Sequence, residues 1–203
     1  RIEGGILGSV VPALTGRVLG ALRMLCSARF LTVGPGLKSG IKLRLDNPAQ
    51  LGAELLCGAV AALEEGPGPL AVISADTAIS IMAVNGKQEL VGGVILPGPQ
   101  LSLSALVQKT AQLPQIDLSA PASSSILGKN TSACLQNGFV LGTAGLLDGL
   151  AERFQAELGP DIRFYATGNL PRTIREACRT PIQYREYLIT DGLYRIWQKN
   201  RKG

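Results

Sequence analysis

Three stretches of this 203-residue chain gather residue types that can handle a polar ligand. They are Gly92-Gly93-Val94-Ile95-Leu96-Pro97-Gly98, Thr110-Ala111-Gln112-Leu113-Pro114 and Gly128-Lys129-Asn130-Thr131. Glycine-punctuated turns let backbone amides approach a ligand, and a polar helix start adds N–H groups and the positive end of a dipole. Two such turns and one such helix start suggest a ligand cleft. The chemistry open to it is limited, because the chain contains no histidine. Serine-hydrolase relays and most metallohydrolase mechanisms are thereby removed, leaving carboxylates, hydroxyls, lysines and backbone amides. Phosphoryl transfer suits that set, since it depends on positioning and charge neutralisation more than on covalent chemistry.

Composition narrows the class further. With 46% hydrophobic and 17% charged residues the chain is globular and long enough to bury an ordinary core. Its net charge of +5 is dispersed, apart from Arg195, Lys199, Arg201 and Lys202 at the end of an expected C-terminal helix, where cations complement the helix dipole. Only 4% of residues are aromatic, so neither a focused basic patch nor a stacking platform points to nucleic acid. Cys26, Cys57, Cys134 and Cys178 form no C-x-x-C pair and read as reduced structural thiols, with Cys57 and Cys134 in apolar helical patterns that suggest burial. Glu3, Pro12 and Arg17 interrupt the apolar first 25 residues, so no secretory signal or membrane span is read there, and a cytoplasmic address is expected. Starting on Arg1-Ile2-Glu3 with a strand-like run, the chain reads as entering a fold already under way, with a segment expected upstream.

The elements that would position these motifs follow from periodicity. Strands are expected at 5–11, 30–33 and 41–45, and a helix at 14–25. A buried helix is expected from Pro48 to Glu65, closed by Gly66-Pro67-Gly68-Pro69, which is the best domain boundary. Strands at 70–74, 78–84 and 89–96 follow, the last two joined by an Asn85-Gly86 hairpin. Helices are expected at 101–112 and 131–158, the latter bending near Gly138, Gly142 and Gly145, with a loop from Pro121 to Ser125 between them. A strand at 163–166 and helices at 172–178 and 187–199 complete an α/β pattern.

Several motifs in this order resemble the type III pantothenate kinases, which phosphorylate pantothenate with ATP at the start of coenzyme A synthesis. The matching segments are Gly34-Pro35-Gly36-Leu37-Lys38-Ser39-Gly40, Asp46-Asn47-Pro48, Gly92-Gly93, Pro97-Gly98, Thr110-Ala111-Gln112-Leu113-Pro114, Gly128-Lys129-Asn130-Thr131 and Ala166-Thr167-Gly168. The resemblance runs from Ser9-Val10-Val11-Pro12 to Gly192-Leu193. It implies an actin-like, ribonuclease-H-like (ASKHA) fold of two related lobes: residues 1–66 would be the remainder of an incomplete first lobe with its linking helix, and 67–203 the C-terminal lobe. It also implies ATP with Mg2+, a potassium or ammonium ion, and a homodimer that uses the long 131–158 helix. The family's N-terminal Asp-x-Gly-Asn-Thr phosphate loop has no equivalent here.

Site residues follow by the same resemblance. Gly52-Ala53-Glu54-Leu55 falls on the family's Gly-Ala-Asp-Arg, whose aspartate is the base for the pantothenate hydroxyl, which makes Glu54 the catalytic candidate. Gly52, Ala53, Leu55, Leu45, Asn130 and Thr131 fall on the pantothenate-binding positions, with Leu45 in place of a tyrosine and Leu55 in place of an arginine. Read from the residues alone, Glu54 could equally solvate a helix face while Leu55 packs, and Asn130 could simply cap a helix. Ser74-Ala75-Asp76-Thr77-Ala78 falls on Asp-x-Gly-Thr-Ala, so Thr77 is an ATP contact, with Gly92, Gly93, Pro97, Gly98 and Gly168 beside it. Ser74 holds the position of the cation-binding aspartate, and Asp76 is a second, weaker candidate for that ion. Serine removes the charge, and Asp76 intrudes on phosphate space, so weak or absent ATP affinity is expected. Asp148 and Glu152, at i and i+4, read as a solvated helix face. Residues 54, 77, 98 and 131 are expected to converge on one groove.

Overall fold

The structure is a computed structural model that describes residues 2–123 and 125–201. Arg1, Ser124 and Lys202, which figure in the readings above, lie outside the described residues. The element order is β1 (Gly4–Leu7), α1 (Pro12–Leu25), β2 (Arg29–Thr32), β3 (Lys42–Leu43), a 3-10 turn (Pro48–Gln50), α2 (Ala53–Glu64), β4 (Leu70–Ala75), β5 (Ala78–Val84), β6 (Glu89–Pro97), α3 (Pro99–Gln108), α4 (Thr131–Leu158), β7 (Arg163–Gly168), α5 (Arg172–Ala177), β8 (Ile182–Tyr184) and α6 (Leu188–Asn200).

β4, β5 and β6 form an antiparallel meander, and β7 and then β8 extend it in parallel on the other side of β4, giving the order β3-β6-β5-β4-β7-β8. A meander followed by two parallel strands is the arrangement of an actin-like, ribonuclease-H-like lobe. β1 and β2 form a separate parallel pair joined through α1. The run β1-α1-β2 followed by α2 repeats β7-α5-β8 followed by α6, and the two equivalent helices α2 and α6 pack on each other. α1 is mostly solvent-facing, with Leu14, Met24 and Leu25 exposed.

Each face of the large sheet carries its own core, as period-two alternation requires. Leu70, Val72, Met82, Val84 and Tyr165 meet α2 and α6, while Ala71, Ile73, Ala75, Ile79 and Ile81 meet α4 and α5. The first core also takes in Val33 and Ile41, so it crosses the Gly66–Pro69 segment. That segment is fastened, not loose: the Arg163 guanidinium donates to the carbonyls of Glu65, Gly66 and Pro67. β3 is shorter than expected, pairing only Lys42 and Leu43 with Glu89 and Leu90. The expected 48–65 helix is split, because Gly52 adopts an extended backbone (ψ 135°) between the 3-10 turn and α2.

α4 is one helix of 28 residues with no break at its glycines. Gly138, Gly142 and Gly145 face open space, so nothing inserts to bend the helix. At ~1.5 Å per residue it is about twice as long as the sheet strands it covers. It joins the second core through Val140, Ala144, Leu147 and Ala151. Cys134, expected to be buried, is exposed, while Cys57 is fully buried between β4 and α6.

Candidate active site

α2 runs antiparallel to β4, because only Glu65–Pro69 joins them and Arg163 holds that link at the start of β7. The N-terminus of α2 therefore lies at the end of the sheet where β4, β6 and β7 finish. Glu54, in the first turn of α2, is exposed there, and a negative charge at a helix N-terminus is favourable. Leu55 points the other way and is 7% exposed, packed in the first core. Leu45 also packs against that core. Leucine at these two positions serves packing, and neither side chain offers a polar group to a ligand.

A cavity of about 520 Å³ lies beside the α2 N-terminus, lined by Ser9, the Gly34–Leu37 turn, Ser39, Gln50, Gly52 and Ala53. A smaller one of about 110 Å³ holds Glu54 and shares Ser9, Val10 and Ala53 with it. Two motifs distant in sequence thus meet around one space. Asn47 organises one wall, its Oδ1 accepting the amide of Ala49, and Ser39 another, its Oγ accepting the amide of Ile41.

On the opposite side of the same sheet end, a cavity of about 450 Å³ opens between the β4–β5 turn, the N-terminus of α3 and the loop after β7. Asp76 and Thr77 line it, with Gln100, Ser104, Asp117 and Asn169 among the other walls. Gly98 sits behind it, donating its amide to the Thr77 carbonyl at 2.9 Å. A Cβ on Gly98 would collide with the carbonyls of Asp76 and Thr77, and one on Gly168, at φ +82°, with that of Ala75. Both glycines let strand ends close up around the turn. Pro97, at the end of β6, is exposed beside them. Gly92 and Gly93 do not belong to this group. They lie inside β6, paired with Ala83 and Met82, where Gly93 fits against the Ile81 backbone.

The helix start at Asn130 is a cap: its Oδ1 accepts the Ala133 amide at 2.9 Å. Thr131 is exposed at the rim of an apolar cavity of about 340 Å³ with Leu106, Leu113, Leu135 and Phe139. Thr77, Glu54 and Thr131 each line a different cavity.

Sequence reading also missed the polar anchors behind the site. Asn137, buried in α4, holds Ser123, Ser125 and Ile126 by donating to the Ser125 and Ile126 carbonyls and accepting the Ser123 amide. Gln136 donates to the carbonyls of Asp117 and Ala120. Asp148, expected on a solvated face, is 3% exposed and accepts the amides of Arg179 and Thr180, while Glu152 is exposed. The mid-helix position of such polar residues among small apolar ones was the available signal.

With this geometry in view, comparison with known proteins is decisive. A sequence model of type III pantothenate kinases matches residues 1–153. The chain is 37% identical to the type III pantothenate kinase of Koribacter versatilis over 204 residues, spanning 98% of this chain and 72% of that one. It is 36% identical to that of Geotalea uraniireducens, covering 99% and 78%. The chain belongs to the type III pantothenate kinase family. Among solved structures, a protein described as a Baf family transcriptional activator from Campylobacter jejuni superposes with a TM-score of 0.64 at 18% identity, over 100% of this chain and 86% of that one. That likeness supports the actin-like fold alone.

Family membership implies ATP with magnesium, which the residues can be tested against. The Thr77 cavity has the size and mixed polarity of a nucleoside site. Ser74 is 8% exposed, and its strand partners are Ser80 on β5 and Thr167 on β7, so neutral hydroxyl oxygens stand at this position. Asp76 accepts a hydrogen bond from Asn169 Nδ2 at its Oδ1, 2.9 Å, which leaves its second carboxylate oxygen with acceptor capacity. Among the described residues no group of three or more Cys, Asp or Glu side chains is placed to hold a metal.

Proposed function

We propose that this chain phosphorylates pantothenate with ATP, giving 4'-phosphopantothenate, at the sheet end where α2 begins. The observation that carries the reading is the position of Glu54, exposed in the first turn of α2 beside a cavity built from the Gly34–Ser39 and Pro48–Ala53 segments. That cavity is the pantothenate site, and Glu54 is the base that takes the proton from the pantothenate hydroxyl. An added methylene relative to aspartate moves its oxygens by ~1 Å, a displacement that can cost roughly a hundredfold in rate. The cavity around Thr77 takes the nucleoside end of ATP. ATP bound with magnesium supplies the phosphoryl group and neutralises its charge.

The protein acts as a homodimer in the cytoplasm. The exposed face of α4 with Gly138, Gly142 and Gly145, which meet open space, is the packing face for a second copy, and it would carry Thr131 to the partner's pantothenate cavity. Residues 1–66 act as the first lobe and 67–203 as the second.

A second reading is favoured by one observation, the hydrogen bond between Asp76 and Asn169 beside an uncharged Ser74. In it the chain keeps the fold and the acid-binding cavity but has lost transfer, and acts as a binding or regulatory protein. A coupled ADP-release assay with pantothenate, run in potassium and in sodium, separates the two. Turnover that requires Glu54 supports the kinase, while pantothenate binding without turnover supports the second reading.

A further inference from the structure

The Gly34–Leu37 turn and Ser39, which line the cavity beside α2, belong to a segment that folds back on itself. Leu37 donates its amide to the Gly34 carbonyl, and the Ser39 hydroxyl both accepts the Ile41 amide and donates to the Ile41 carbonyl. With Gly34, Gly36 and Gly40 in it, the segment has much backbone freedom to lose, so a fastening from outside matters. That fastening comes from the last turn of α6. The Asn200 side-chain amide faces the Lys38 main chain as a reciprocal pair: its Nδ2 donates to the Lys38 carbonyl and its Oδ1 accepts the Lys38 amide, each at 3.0 Å. Nδ2 also donates to the Ile196 carbonyl one turn back, at 2.7 Å, which fixes the side chain against its own helix. Lys199 lies alongside, so close to Gly40 that an added Cβ would meet its Nζ at 2.7 Å. α6 also packs along α2, whose Ala53 and Leu56 line the same cavity. One helix therefore touches both segments that form it.

We infer that Asn200 is a positioning residue for the acid-binding cavity: it holds the Gly34–Gly40 segment in the shape that receives the ligand. This rests on the pantothenate reading of that cavity and adds to it the residue that keeps its shape. Ordering completed before the ligand arrives is not subtracted from binding, so losing the tie weakens pantothenate binding by about tenfold.

The test pairs calorimetric titration with pantothenate and hydrogen exchange of the 34–40 peptide, on the full chain and on two variants. Asn200→Ala removes the side-chain amide. Asn200→Leu removes its hydrogen bonds while keeping a branched side chain and adding no charge, so it decides the matter should the alanine variant fold poorly. The expected result is faster exchange across 34–40 in both variants, exchange elsewhere unchanged, and a loss of about tenfold in pantothenate affinity. Faster exchange at 34–40 with unaltered pantothenate affinity overturns the role of Asn200 and leaves the cavity reading intact, as does unaltered exchange there. Faster exchange throughout the chain marks a general loss of stability and overturns the role too. Failure of the unmodified chain to bind pantothenate overturns the cavity reading and the inference together.

Discussion

Gly192 of α6 lies so close to the main chain of Cys57 in α2 that a Cβ would overlap the Cys57 carbonyl. Gly58, one residue on, faces a Val72 methyl of β4, which an added Cβ would meet at 3.0 Å. α2 is thereby clamped between α6 and the sheet, and the clamp fixes where Glu54 emerges. Gly192→Ala forces α2 away from α6 against rigid backbone, not against a flexible side-chain tip. Overpacking of this kind costs about 1–3 kcal/mol. Urea unfolding of the variant should show that loss, and an unchanged midpoint would contradict the tight crossing.

Asp148 is a second structural support, reaching from α4 to the turn before β8. Burial pushes its carboxyl pKa up, but the Arg179 and Thr180 amides outweigh that and leave it below its ordinary value. Asp148→Ala leaves two buried amides without their acceptor and should cost about 2–4 kcal/mol. Glu89 behaves alike at the β3–β6 edge, where the Asn85 amide and then Arg44 lower it to about 2. For a carboxyl lowered in the fold, stability is full above its unfolded value and is lost as pH falls through the folded one. For Glu89 that window runs from about 4.5 down to about 2. Thermal melts between these limits should flatten in Glu89→Gln relative to the unmodified chain.

Much of this scaffold is legible in the sequence, and the reasons separate the hits from the misses. β4, β5 and β6 show themselves because apolar, β-branched runs and Asn85-Gly86 act locally. α2 and α4 likewise show helical spacing with clear ends at Gly66 and Gly159. β8 was missed because its three residues become a strand only by pairing with β7. Asp148 looked solvated because its partners lie 31 and 32 residues away. The Asp76–Asn169 contact spans 93 residues and belongs to no local pattern. The family motifs located the α2 N-terminus and the β4–β5 turn, while the cavity at Thr131 is formed with Leu106 and Leu113, which lie outside its own motif.

The cysteines should report these environments chemically. Burial raises the Cys57 thiol to about 12, and burial with the nearby Asp148 charge raises Cys178 to about 11. Thiolate is the reactive form, so both should resist iodoacetamide at neutral pH in the folded protein. Cys134 is exposed and should alkylate first. Peptide mapping after brief labelling distinguishes the sites, and rapid modification of Cys57 would contradict the packing of α2 under β4.

Pantothenate-dependent release of ADP, measured for the unmodified chain and for Glu54→Gln, tests most directly whether Glu54 serves a pantothenate cavity at the start of α2. The expected result is slow turnover in the unmodified protein and a fall of roughly a hundredfold or more in Glu54→Gln, consistent with loss of a general base. Equal turnover by both proteins would contradict the assignment.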